Sequence, residues 1–263
     1  MKVLVTNDDG IDAPGLWAAA GAFAGLAHVF VVAPDREQSG VGSSLTLHAP
    51  IRANRVRPAV ELEGVAAYSV QGTPADSCVL ALEKLVGPVD LVVSGINSGS
   101  NLGQDVLISG TVGAALQGYF RGLPSLAVSV GAVTETRFEV AADLLGHLAR
   151  RLAGGAAIPP SLINVNLPNE PADRIKGVRV TRLGGRSYTE TVQDSEERGR
   201  PYYRLFRNRP VQRDQGEDTD IWAVRHNLVS ITPLYASMTD VERMPEIQDL
   251  FGGWNGCGAD DAG

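Results

Sequence analysis

The chain has 263 residues, 44% hydrophobic and 20% charged, with a formal net charge of -7 and a sequence pI of about 5.1. That balance suits one large globular domain with or without an appendage, and it argues against a broad surface for nucleic-acid polymers. No apolar run is long enough for a bilayer, no basic-then-apolar secretory leader opens the sequence, and the two cysteines, Cys78 and Cys257, suit a cytoplasmic protein without disulfides.

Short apolar runs at 3–6, 29–33, 91–94 and 126–130 predict central strands, because strands covered on both faces read as continuously apolar. Helical stretches with legible ends lie between them. Asp12 and Pro14 open one that carries Trp17, Phe23 and Leu26. Thr73, Pro74 and Asp76 open a second, which Gly87-Pro88 closes. Ser109-Gly110-Thr111 opens a third, ending near Gly122 and Pro124, and a fourth runs from about 138 to 152. This alternation predicts an α/β three-layer sandwich on a mostly parallel central sheet, Rossmann-like in character.

Further along, 163–167, 178–183 and 224–232 read as strands and 241–251 as a helix. Residues 185–217 are rich in Arg, Glu and Gln, with an aromatic island at Tyr202, Tyr203 and Phe206. They form either a solvated loop or a projecting β-hairpin, and alternation over 203–207 favours the hairpin. The expected organisation is an α/β catalytic core at 1–184, a hairpin arm at 185–217, a strand and helix at 218–252 that complete the fold or the assembly, and a flexible tail at 253–263.

Chemistry gathers where open α/β sheets bind ligands, beyond the carboxyl ends of the strands. The first strand delivers Asp8 and Asp9, adjacent acids whose mutual repulsion a hard divalent cation would relieve. The alternative for this Asn-Asp-Asp-Gly sequence is a plain polar turn. The second strand delivers 33–40, and the strand at 91–94 delivers the glycine-spaced polar stretch 95–103. Glycines there let backbone N–H groups approach a phosphate. Ser109-Gly110-Thr111 offers hydroxyls and free N–H groups at a helix start, with a simple N-cap as the other role for Ser109. The segment 48–57, following Ser39, is a candidate lid. A P-loop and a nucleophile elbow are both absent, and none of the four histidines falls in these clusters.

Several motifs, in order, resemble the SurE family of survival proteins and nucleotidases. They are Asn7-Asp8-Asp9-Gly10, Ala33-Pro34-Asp35-Arg36 through Ser39-Gly40, Gly72-Thr73-Pro74, Val93-Ser94-Gly95-Ile96-Asn97 and Ser109-Gly110-Thr111-Val112. Asn164-Val165-Asn166-Leu167-Pro168 and 229–234 fit as well. The resemblance implies a divalent-metal-dependent phosphomonoesterase acting on nucleoside 5′-monophosphates, and on 3′-monophosphates in some members. It implies one Mg²⁺ or Mn²⁺ per subunit on Asp8, Asp9, Ser39 and Asn97, with Asp8 or Asp9 orienting the attacking water. Asn101, Ser109, Gly110 and Thr111 would line the phosphate pocket. Ser43, where some relatives carry Asn, stands at a further phosphate position, and Gln117-Gly118 replaces the Glu-Gly frequent in relatives. Exchanged arms in a homodimer or homotetramer are implied too. The rival readings are a receiver-like signalling protein, which would need an acceptor Asp where Asn97 stands, and a non-catalytic nucleotide- or phosphate-binding protein.

Overall fold

A computed structural model describes residues 1–132, 134–186, 188–197, 200–210, 216–252 and 254. The first strand, β1 (Lys2–Thr6), is the axis of the fold. Its side chains alternate between two apolar layers: Val3 and Val5 belong to one core cluster and Leu4 to another. Helix α1 (Pro14–Phe23) covers the first layer, with Leu16, Ala20 and Phe23 fully buried. It begins with Pro14 after an Ala13 cap that makes no side-chain hydrogen bond, so Asp12 is not the cap that its position suggested, and the helix ends before Leu26.

β2 (His28–Pro34) and β5 (Leu91–Ser98) flank β1 in parallel register. Among the described residues one sheet holds nine strands. Its order is β3 (Ala53–Val56), β4 (Ala66–Val70), β2, β1, β5, β6 (Ser125–Val130), β7 (Leu162–Leu167), β11 (Val229–Leu234) and β8 (Val178–Val180). Pairing is parallel except β3 with β4 and β11 with β7. The predicted class is therefore the observed one.

Two details correct the sequence reading. Residues 53–56 of the candidate lid are edge strand β3, because the alternation of Ala53-Asn54-Arg55-Val56 pairs with β4. Residues 224–228 are not strand: Thr219 accepts the Trp222 N–H and starts helix α5 (Asp220–Arg225), which ends before β11.

Helix α4 (Glu139–Ala153) joins α1 on one face, and α2 (Pro74–Leu80) and α3 (Gly110–Tyr119) pack together on the other. α2 starts with a complete capping box between Thr73 and Asp76. Residues 185–217 contain the antiparallel hairpin of β9 (Tyr188–Glu197) and β10 (Arg200–Pro210), a sheet of its own. Helix α6 (Met244–Phe251) buries none of its residues. Among the described residues no helix is long and apolar enough to cross a membrane. The tail expected at 253–263 lies outside the described residues except for Trp254.

Candidate active site

The acid pair sits on a tight turn at the end of β1. The Asn7 side chain donates to the Gly10 carbonyl at 3.0 Å and accepts from the Gly10 N–H at 3.2 Å, folding the two acids outward between them. Gly10 has φ +102°, and a Cβ on it would lie 3.1 Å from the Arg36 backbone, so this turn requires glycine. The two carboxylates then part. Asp8 accepts a 2.6 Å hydrogen bond from the Thr111 hydroxyl at the first turn of α3. Asp9 accepts from the Ser98 N–H at 3.2 Å, toward α1.

Burial raises the Asp8 carboxyl above the usual range, against the Thr111 hydrogen bonds that lower it. Burial likewise pushes Asp9 from 3.8 up to about 6, assisted by the Asp8 and Glu37 charges and opposed by the Ser98 N–H.

α3 meets this pair closely. A Cβ on Gly110 would lie 2.8 Å from the Asp8 Cβ and 2.9 Å from its Oδ2. Ser109 caps the helix, its Oγ accepting the Val112 N–H at 3.1 Å, and that leaves the hydroxyl hydrogen free to donate. Asn101 reaches the same corner, donating to Ser129 Oγ at 2.9 Å and to Thr111 Oγ1 at 3.4 Å. Ser43 is exposed beside the helix, where a Cβ on Gly113 would come within 2.9 Å of its Cα. The loop bearing Ser43 is pinned to α2: Thr46 donates twice to the Asp76 carboxylate, at 2.9 and 2.6 Å, and Thr73 donates to the Ser44 carbonyl at 2.6 Å.

Two supports lie far away in sequence, and sequence reasoning missed their role. Asn166 holds the Asn101 backbone at both ends, accepting its N–H at 2.8 Å and donating to its carbonyl at 3.1 Å, while Asn164 donates to that carbonyl at 2.7 Å. Asp220 is fully buried and accepts from Gly103, Gly184 and Ile221, each at 2.8 Å. Burial raises its carboxyl, against those three N–H donors. The Asn164–Pro168 motif marks the first support. A Thr-Asp pair at a helix start was the available signal for the second.

The donor set fits a hard divalent cation. Asp8 and Asp9 bring two partly desolvated carboxylates whose ionisation a cation would favour. Ser39 brings a hydroxyl, 2.7 Å from Glu37 Oε1. The Asn97 amide nitrogen is committed to the Gly99 carbonyl at 2.6 Å, so its oxygen is the atom left for a cation. Among the described residues no three His, Cys, Asp or Glu side chains could hold a metal ion together, so neutral oxygens would have to complete its shell.

A cleft of about 410 Å³ opens beside this set. Its polar lining is Asp9, Glu37, Ser39 and Ser98, and its apolar lining is Ala13, Pro14, Gly15 and Phe138. Thus Asp8, Gly110, Thr111, Asn101 and Ser109 gather at the start of α3, while Asp9 and Ser39 face the cleft with Glu37, an acid within the 33–40 segment that the sequence alone did not single out.

A family model described as "Survival protein SurE" matches residues 3–190. A protein named 5′-nucleotidase SurE from Dehalococcoides mccartyi strain 195 is 46% identical over 238 residues, 89% of each chain. One of the same name from Heliobacterium modesticaldum is 41% identical over 263 residues, 99% of this chain and 95% of that one. Another, from Aeromonas hydrophila, is 46% identical over 91% of this chain and 94% of its own. The crystal structure of the SurE protein from Aquifex aeolicus superposes with a TM-score of 0.80 at 37% identity, covering 95% of this chain and 99% of that one.

Proposed function

The chain belongs to the SurE family, and from that premise we propose that it acts as a 5′-nucleotidase, hydrolysing nucleoside monophosphates to nucleoside and inorganic phosphate. The observation that carries this reading is the partition of the acid pair: Asp8 turned to the N-terminus of α3, Asp9 to an open cleft. One acid adjoins an oxyanion site and the other adjoins space for a leaving group and a water.

Asp8, Asp9, Ser39 and Asn97 would hold one Mg²⁺ or Mn²⁺ per subunit. Bound there, the cation supplies charge neutralisation and Lewis acidity. The first turn of α3, at Gly110 and Thr111, directs N–H groups and a partial positive charge toward the phosphate oxygens. Ser109, Ser43 and Asn101 add neutral donors around the same group. Asp9 orients the attacking water by accepting one of its hydrogens.

Release of phosphate from adenosine 5′-monophosphate with added Mn²⁺, compared with the same assay in EDTA, tests the reading. Turnover that depends on the metal supports it. Binding of the nucleotide without phosphate release would replace it with a non-catalytic role.

Unpartnered apolar surface supports an assembly. Met244, Ile247, Leu250 and Phe251 of α6 are all exposed, as are Tyr203 and Leu205 of the hairpin. An isolated hairpin is marginal in water, and an exposed apolar helix face calls for a partner. Our reading is a homodimer or homotetramer in which arm and helix clasp a neighbouring copy. A cytoplasmic location suits the free Cys78, fully buried in the core with its thiol pushed up to about 12.

A further inference from the structure

The cleft beside Asp9 is too large and too apolar at one end to serve the phosphate alone. Beyond the acids it is walled by Pro14, Gly15 and Phe138. Gly15 lies in the first turn of α1, and a Cβ there would stand 2.7 Å from Phe138 Cε1 and collide with the Ile96 carbonyl oxygen. The phenyl ring therefore rests directly on the α1 backbone. It is only partly buried, with one portion packed on the core cluster of α1 and α4. A ring fixed in this way offers a preset flat surface at little cost in side-chain freedom.

The opposite side of the acid pair is closed by α3, where Gly110 abuts Asp8 and Thr111 bonds it. A phosphomonoester bound at the acids and α3 must therefore extend its leaving group toward Phe138. The nearby charged side chains, Asp9 and Glu37, are acidic. The lining offers no cationic side chain to a second phosphate, and its apolar end suits an uncharged planar group.

We propose that Phe138, seated on Gly15, is the platform on which the nucleobase of the substrate stacks, and that preference for nucleotides over other phosphomonoesters is set there. This rests on the proposed nucleotidase reading. The phosphate remains at the acids and α3, and the base supplies binding energy at a distance from the reacting bond.

The experiment compares adenosine 5′-monophosphate with ribose 5-phosphate, which keeps the phosphate and sugar and lacks the base. Both substrates are measured in the wild type and in Phe138→Ala, Phe138→Leu and Phe138→Tyr. Loss of base–aromatic stacking raises KM for the nucleotide by about fivefold to a hundredfold in the alanine variant. KM for ribose 5-phosphate stays within about twofold, and tyrosine restores the nucleotide value. Leucine preserves the apolar packing without the ring face, so it shows the same selective rise even where alanine does not fold. An unchanged nucleotide KM in the leucine variant, or an equal loss on both substrates, overturns the platform. So does a wild type that turns over both substrates equally well, an outcome that leaves phosphatase activity standing. A wild type that hydrolyses neither overturns the nucleotidase reading itself, and the platform with it.

Discussion

Asp9→Asn should make the metal-free protein more stable while removing its activity. The Asp9 carboxyl is pushed from 3.8 up to about 6, by burial first and the Asp8 charge second. A raised carboxylate pKa means that the fold disfavours the ionised form. Below about pH 4 the acid is protonated in both folded and unfolded chains and carries no penalty. As pH rises toward 6 the unfolded chain ionises freely while the folded one resists, so stability is lost across that window and stays lost above it. A carboxyl carried from 3.8 to about 6 corresponds to about 2–3 kcal/mol at pH 7.5. For a chain of this size that is roughly 5–10 °C in Tm. Asparagine keeps an oxygen for the Ser98 N–H and removes the charge. Melting followed by circular dichroism in EDTA from pH 4 to 8 is the assay. The variant should melt higher than wild type above pH 6, with the difference vanishing near pH 4. Saturating Mn²⁺ should narrow or reverse the order, because only the wild type gains full binding energy from the cation. A variant melting at or below wild type at pH 7.5 in EDTA would show that the buried Asp9 charge carries no such cost.

Three further outcomes are expected. Gly110→Ala places a methyl where Asp8 must yield by about 0.6 Å to restore ordinary contact, so kcat/KM should fall on the order of 10–100-fold with little loss of Tm; wild-type turnover would show that Asp8 has room to move. Asn166→Ala strips the Asn101 N–H of its acceptor and leaves Asn164 as the remaining donor to the Asn101 carbonyl, so it should cost about 1–3 kcal/mol in urea unfolding, with activity reduced at least about tenfold; undiminished activity would separate Asn101 from the phosphate. Light scattering at micromolar concentration should show a dimer or tetramer, and deletion of residues 188–212 should reduce its order. A monomeric wild type, or an assembly indifferent to the deletion, would return the arm to the role of a solvated loop.

The acid pair was legible because its chemistry is contiguous. A buried strand runs straight into two carboxylates, and repulsion between neighbours is visible in four letters of sequence. The caps at Thr73 and Ser109 were legible for the same reason, since each acts within three residues of itself. Asn166 and Asp220 act across 65 and 117 residues, and nothing local marks which backbone group each will meet. Strand β3 went unread because four half-exposed residues at a sheet edge lack the apolar run of a central strand. Phe138 read only as the start of a helix, since its neighbour Gly15 is brought to it by the packing of α1 on α4.

Helix α3 contributes few reactive side chains, yet it determines how much variation the site can absorb. Gly110 leans on Asp8, a Cβ on Gly113 would strike the Gly42 carbonyl oxygen, and one on Gly118 would come within 2.7 Å of Val92 and crowd the Ser125 hydroxyl. With Ala114 and Ala115 fully buried between them, the helix touches the sheet at the level of its own backbone. Surrounding side chains therefore have no slack with which to accommodate a bulkier neighbour, as they would beneath a leucine-faced helix. Mutational tolerance along this helix should follow volume rather than polarity, and positions without chemistry of their own should prove as restrictive as the acids they support.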